Sequence, residues 1–319
     1  MEAEQYDSVK KMIEGGDYTE ALALLKSLPD NESETLYLSA VCERRLGNKT
    51  AALGILDKLI GQHPKHGRAF QERGHILREL GHTDAALAAY GRATQENPSL
   101  HAAWRAQAEL LLNAGRMKEA SRVKPHIERL MRMPKPLLYV LDMLSQGFVG
   151  KAEKTCRAFL VDNPRHIEGM RLLAEIAIKL NIFDEAEFIL ESAVLFDPSN
   201  TELKTDYVGI LRKRQKLVEA RDLALELYRD DERNLHMKSQ YAVTSMQVGD
   251  YGTALELFEQ LLTEMPGEPV TLTSKGHALK TVGQTDAAIE CYREACREGI
   301  IHGEAWQSLA NLKTYRFTD

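Results

Sequence analysis

The sequence predicts an all-α chain folded as a solenoid of about nine helix-turn-helix units plus one terminal helix. Three observations predict it. Alanines recur at Ala21, Ala52, Ala86, Ala120, Ala152, Ala186, Ala220, Ala254 and Ala288, with spacings of 31, 34, 34, 32, 34, 34, 34 and 34 residues. A fixed period of this length is the signature of a repeat architecture. Five residues before each alanine stand Gly16, Gly47, Gly81, Gly115, Gly147, Asn181, Gln215, Gly249 and Gly283 in turn, and twelve residues after five of them stand Pro64, Pro98, Pro164, Pro198 and Pro266.

Each part of the unit has a physical reason. The glycine position suits a left-handed residue that closes the first helix and opens a tight turn; Gln215 is the clear departure. Asp17, Asn48, Thr83, Asp250 and Thr285 follow it by one or two residues, and their side-chain oxygens are expected to cap the free amides of the second helix. The alanine lets two helix backbones approach closely without the loss of helix propensity that glycine brings, about 1 kcal/mol. Phe70, Leu77 and Tyr90 in one unit, and Leu272, Leu279 and Tyr292 in another, recur at helical spacing as core positions. The prolines end the second helix.

These residues carry a resemblance to the tetratricopeptide repeat family. It is clearest in Ala69-Phe70 through Gly74, Leu77, Gly81, Ala86, Tyr90, Ala93 and Pro98, in Trp104 through Ala108, Leu111, Gly115 and Ala120, and in Gly276 through Gly283, Ala288, Tyr292 and Ala295. The resemblance covers nearly the whole chain and implies a right-handed superhelical solenoid whose first helices line a concave face. It implies no particular activity, since one fold serves many functions.

Composition agrees. In 319 residues, 44% are hydrophobic and 28% charged, which suits a continuous core buried between stacked helix pairs. A single solenoid over 1-319 is expected, with modules of about 2-133 and 134-319. No apolar run approaches the roughly 18 residues needed to span a bilayer, and the amino terminus is polar; a cytoplasmic location is expected, with no membrane partner. Residues 1-160 carry 23 basic and 20 acidic side chains and residues 161-319 carry 18 and 27, so the halves differ in sign at +3 and -9. Neither value suggests nucleic acid as a partner. Arg116, Lys118, Arg122, Lys124, Arg129, Arg132 and Lys135 form the densest basic run and are read as a solvated outer face.

The region 125-136 is the expected irregular junction. Pro125 falls inside a second helix, Pro134 and Pro136 follow, and the spacing contracts to 32. A mid-helix proline costs roughly 3 kcal/mol or more, so the helix is expected to kink or stop near Lys124.

Chemistry is sparse. The sequence has no phosphate-binding Gly-rich loop, dinucleotide fingerprint, zinc-protease helix or nucleophile elbow, so no catalytic residue, metal or cofactor is assigned and the chain is read as not an enzyme. His63, His66, His75 and His82 fall across two helices and their turns and are read as surface or capping groups. Cys42, Cys156, Cys291 and Cys296 are read as reduced packing residues.

What remains is a surface. The stripe of first-helix positions facing away from the core holds Tyr37, Arg44, Arg45, Arg68, Gln71, His75, Arg78, Arg105, Glu109 and Asn113, then the apolar Leu137, Leu141 and Leu144, then Arg171 and Lys179. Tyr37, Arg44, Arg68, Gln71, His75, Arg78, Arg105, Asn113, Arg171 and Lys179 are the candidate groove for a protein or peptide partner with an acidic segment, because arginine forks take carboxylates. The leucine trio is read as packing. Two sub-patterns of the family fail: the chaperone-tail clamp, where Tyr37, Gln71 and Arg105 stand at a clamp position, and the asparagine ladder, whose position reads Leu38, Glu72 and Ala106.

At the carboxy terminus, Trp306 and Ala310 are expected at core positions of a last first-helix, with no second helix or polar cap after it. The chain is therefore expected to be the interaction arm of something longer. Residues 305-317 resemble a segment in bacterial proteins in which these repeats precede a sulfotransferase domain. That resemblance implies a catalytic domain following residue 319; its phosphate-binding loop is absent here.

Overall fold

The structure is a computed structural model that describes residues 2-29, 31-297 and 303-312. Every regular element among them is a helix, and the chain divides into two compact units, Met1–Ile176 and Ala177–Asp319.

The first unit holds α1 (Glu2–Gly15), α2 (Tyr18–Leu25), α3 (Ser33–Arg45), α4 (Lys49–Gln62), α5 (Gly67–Glu79), α6 (Thr83–Glu96), α7 (His101–Asn113), α8 (Met117–Arg132), α9 (Lys135–Ser145) and α10 (Val149–Asp162), and α11 (Ile167–Lys179) spans the boundary. The second holds α12 (Phe183–Phe196), α13 (Thr201–Lys213), α14 (Leu217–Asp230), α15 (Leu235–Gln247), α16 (Tyr251–Glu264), α17 (Pro269–Thr281), α18 (Thr285–Ala295) and α19 (Gly303–Ala310). Within the first unit successive helices pack on one another from α1 to α8 and again from α9 to α10, and α3 also touches α5; within the second they do so from α12 to α19, and α15 also touches α17. First helices of adjacent units thus lie side by side, as in an all-α repeat solenoid.

The alanine register is the spine of both cores. Eight of the nine alanines are fully buried, and Ala120 is 7% exposed. Around them Phe70, Tyr90, Ala93, Ala103 and Ala106 form one cluster and Ala242, Leu257, Phe258 and Leu261 another. Leu272, Leu279 and Tyr292 are buried as expected, and Leu77 packs at the edge of its cluster. Cys42, Cys156 and Cys291 are buried free thiols and Cys296 is half-buried; the Cys156 Sγ donates to Gly169 O at 3.3 Å.

The turns are closed by the main chain rather than by side chains. In every unit the residue after the glycine position donates its amide to the carbonyl five residues earlier, from Asp17 to Met12 O (2.9 Å) through Ile182 to Ala177 O (2.8 Å) to Gln284 to Leu279 O (2.9 Å). This is the Schellman closure that a left-handed residue permits. Asn181 and Gln215 adopt it too, each at φ 60°, so Gln215 departs in sequence and not in geometry.

The capping expectation holds at one position of five. Asp250 accepts from Thr253 N at 3.2 Å, whereas Asp17 and Asn48 make no side-chain cap and Thr83 and Thr285 are already the first residues of their helices. Asn48 instead donates from Nδ2 to Glu43 at 2.7 Å. The other side-chain caps are His66, His166, Asn200, Asn234 and Glu268, at the other kind of turn.

Three further expectations are corrected or settled. α8 does not stop near Lys124: it continues through Pro125 to Arg132. Pro125 and Ser121, whose carbonyl loses its partner, are both exposed, so water can satisfy that oxygen. The chain turns instead at Met133 and Pro134, and Pro136 sits in the first turn of α9, where its missing amide costs nothing. Leu137, Leu141 and Leu144 are buried and pack, as read above. In α19, Ala305 and Leu309 are buried while Trp306 is 46% exposed and Ala310 is exposed, so the core stripe runs one residue earlier than expected. Phe317 and the rest of the tail from Lys313 lie outside the described residues.

Candidate functional site

The ten candidate groove residues separate once their partners are seen. Tyr37 is a wedge between the first two cores, its ring 5.5 Å from that of His66; burial pushes its hydroxyl well above the ordinary tyrosine range. Arg44 is committed to the fold: its side chain is 11% exposed and donates from Nε to Glu72 at 2.6 Å and from Nη1 to Glu79 at 3.2 Å. Arg68 pairs with Asp142 at 2.6 Å. The Gln71 Oε1 is buried with no hydrogen-bond partner among the described residues.

His75, Arg78 and Arg105 do come together. With His101, Ala102, Ala106 and Glu109 they line a pocket of about 270 Å³ on the face shared by α5 and α7. Behind His75, Gly74 leaves room for the Tyr90 ring, because a Cβ there would lie 2.6 Å from it. That close approach lets the Tyr90 hydroxyl reach His75 Nδ1 at 2.7 Å, which fixes the ring and leaves Nε2 as its other polar atom. Burial, with Arg44 and Arg78 nearby, holds the His75 imidazole below its ordinary value, so it is neutral at pH 7.

Charge in the pocket is unbalanced. Arg78 lies 3.5 Å from one oxygen of Glu109 and Arg105 lies 4.0 Å from the other. One exposed carboxylate thus faces two guanidinium groups, each 40% or more exposed. The pocket carries one uncompensated positive charge above an alanine floor.

Asn113 is exposed at the end of α7 and lines no described pocket. Arg171 is 3.8 Å from Glu168 within the first unit, and Lys179 is exposed on the part of α11 belonging to the second. The basic run of α8 is exposed; Arg116 forks onto Glu119 with two bonds of 2.7 Å and reaches Asp84 at 3.2 Å, and Arg129 pairs with Glu168 of α11.

Sequence reasoning missed Asp142. It accepts from Arg68 Nη2 at 2.6 Å, Asn97 Nδ2 at 2.8 Å and Gln146 Nε2 at 2.9 Å, and these three donors line a second cleft of about 760 Å³ together with His63, His66 and Phe148 among others. Tyr90, His101 and Ala102 were also missed. The available signal was the Gly-His pair followed by tyrosine fifteen residues after the histidine, which occurs at Gly74-His75 with Tyr90 and again at Gly276-His277 with Tyr292.

No group of three or more metal-ligating side chains with metal-holding geometry occurs among the described residues, and no helix among them is long and apolar enough to cross a membrane.

Comparison with known proteins places this arrangement. Tetratricopeptide repeat profiles match residues 34–66, 72–120 and 172–299, together more than half of the chain. A DnaJ protein P58IPK homolog A of Oryza sativa subsp. japonica is 21% identical, over 90% of this chain and 68% of that protein. Among solved structures, MamA superposes with a TM-score of 0.45 at 16% identity, covering 56% of this chain and 99% of its own. A tetratricopeptide repeat protein from Parabacteroides merdae superposes with a TM-score of 0.45 at 15% identity, covering 87% of this chain and 97% of its own. With tetratricopeptide repeat profiles matching more than half of its length, the chain belongs to the tetratricopeptide repeat family.

Proposed function

We propose that the chain is a protein-interaction scaffold that holds an acidic, extended peptide on the first-helix face of its amino-terminal unit. The observation that carries this is the sharing of Glu109 by Arg78 and Arg105 at 3.5 and 4.0 Å. Neither distance is that of a closed bidentate pair, so both forks keep donors for an incoming carboxylate. Exposed pairs of this kind contribute about 0–1 kcal/mol, and exchanging one for a ligand contact costs little. A solenoid that is already ordered adds little conformational cost to binding.

The excess of basic side chains in residues 1-160 supports the same choice, since it favours encounter with an acidic segment in an otherwise acidic chain. Arg68, although basic and on the stripe, is assigned to the fold by its bond to Asp142 and is left out of the binding set.

The test is fluorescence polarisation with a labelled, C-terminally amidated peptide of alternating Glu and Ala, against the Gln/Ala equivalent. The Glu peptide is expected to bind more tightly at low salt, and the Arg78→Glu/Arg105→Glu variant to lose about tenfold or more in affinity. If that variant keeps its helical circular dichroism and binds as tightly as the parent, the reading is wrong.

A further inference from the structure

The two Gly-His-Tyr sites compare position by position, at a constant offset of 202 residues along the chain. Gly74, His75, Arg78 and Tyr90 of the first unit correspond to Gly276, His277, Lys280 and Tyr292 of the second. The following first helices correspond too: Ala103 and Trp104 match Ala305 and Trp306, and both Ala103 and Ala305 are fully buried. Geometry is repeated as well as sequence. A Cβ on Gly276 would lie 2.5 Å from the Tyr292 ring, and the Tyr292 hydroxyl lies 2.9 Å from His277 Nδ1.

One position differs in a way that matters. In the second unit, Glu304 places Oε1 3.3 Å from His277 Nε2. A carboxylate accepts, so His277 carries its proton on Nε2 and its Nδ1 accepts from the tyrosine hydroxyl. The residue equivalent to Glu304 in the first unit is Ala102, and there the pocket of about 270 Å³ opens, lined by His75, Ala102 and the Arg78 and Arg105 side chains. The chain therefore holds a filled and an empty version of the same histidine station.

We infer that the His75 pocket is a subsite for one aspartate or glutamate side chain of a bound peptide, whose carboxylate takes the place against His75 Nε2 that Glu304 takes against His277. This rests on the acidic-peptide reading above and adds to it a named station and a chemical class of side chain. With the Tyr90 hydroxyl donating to Nδ1, as the Tyr292 hydroxyl does at His277, His75 carries its proton on Nε2 and donates from it, and Arg78 and Arg105 supply the charge that Lys280 and Gln307 supply only in part in the second unit. Glu109, the one acid of the pocket, faces the two arginines. His101, at the start of α7, lines the same pocket and has a buried Nε2 without a hydrogen-bond partner among the described residues.

The test places the missing carboxylate by substitution. Ala102 is exposed in the first turn of α7, where an acidic residue suits the helix dipole, so Ala102→Glu is compatible with folding; Ala102→Gln is the uncharged control. Binding of the amidated Glu/Ala peptide is measured by polarisation, and the His75 ring signals by ¹H-¹⁵N NMR. The Ala102→Glu variant is expected to bind the peptide at least about tenfold more weakly and Ala102→Gln within about threefold of the parent. In the peptide-free Ala102→Glu variant, the His75 Nε2 proton is expected to move to the shift of the His277 proton. If Ala102→Glu binds like the parent while Arg78→Glu/Arg105→Glu does not, the station is overturned and the acidic-peptide reading stands. If the parent does not bind the Glu/Ala peptide, both are overturned. If a free-carboxylate Gln/Ala peptide binds as well as the amidated Glu/Ala peptide, the site reads a chain terminus, and the side-chain assignment is overturned.

Discussion

Asp142 accepts a hydrogen bond of 2.6 Å from Arg68, a residue 74 positions earlier in the chain. The carboxylate is on α9 and the guanidinium at the start of α5, so the bond passes over the whole of α6, α7 and α8 in sequence. Asn97 and Gln146 donate to the same carboxylate at 2.8 and 2.9 Å. Truncating the acceptor removes three bonds and truncating one donor removes one. Asp142→Ala is therefore expected to destabilise the chain by about 1–3 kcal/mol and Arg68→Ala by about half as much or less, because Arg68 is partly solvated. Urea midpoints followed by circular dichroism check the order, and an Arg68→Ala loss larger than that of Asp142→Ala would contradict it.

Gln215 holds φ 60° where seven of its eight counterparts are glycine. A side chain in left-handed backbone costs about 1 kcal/mol that glycine avoids. Gln215→Gly is expected to raise the melting temperature, and Asn181→Gly to raise it less, because asparagine tolerates this backbone better. Gly249→Ala, at φ 91°, is expected to lower it by a comparable free energy. Differential scanning fluorimetry reads all three.

The tyrosine rings leave no room at Gly74 and Gly276. Gly74→Ala and Gly276→Ala each put a carbon within 2.6 Å or less of an aromatic ring, and overpacking of this kind costs roughly 1–3 kcal/mol. Each substitution is expected to displace its tyrosine and break the His75-Tyr90 or His277-Tyr292 bond, seen as a shift of the histidine ring signals. Unchanged histidine signals with lowered stability would show that the rings stay and the backbone moves.

Glu187 of α12 is bonded to the two cations that flank Gln215. It accepts from Lys216, and from Arg214 Nε at 2.9 Å, and these two cations hold its carboxyl below the ordinary value of 4.5. A depressed carboxyl stabilises the fold fully above its unfolded value and loses that contribution as pH falls through the folded one. The stability gap between the parent and Glu187→Gln is therefore expected to be constant from about pH 8 to about pH 6 and to close below about pH 4. A gap that persists unchanged into acid would mean that shape, and not charge, is what Glu187 contributes.

The repeat was legible because it is written in residues whose reasons are local. Alanine at a helix crossing, glycine in a left-handed turn and tyrosine over glycine each follow from sterics within one unit, and the profile of buried alanines follows that register. The candidate site was legible only in outline. Arg44 and Arg78 occupy equivalent-looking stripe positions, yet Glu72 claims one and a shared Glu109 leaves the other open. That difference depends on which acid lies across the neighbouring helix, and spacing within one helix does not report it. Asp142 was invisible for the same reason, since its partner lies 74 residues away. The caps misled because the turns had already been closed by main-chain bonds.

Those nine main-chain closures separate length from chemistry. Since no side chain is needed to hold the turn, point changes on the first-helix face can alter what a unit recognises without shifting the phase of the next. The chain behaves as a ruler whose markings can be rewritten one at a time while the distance between them stays the same.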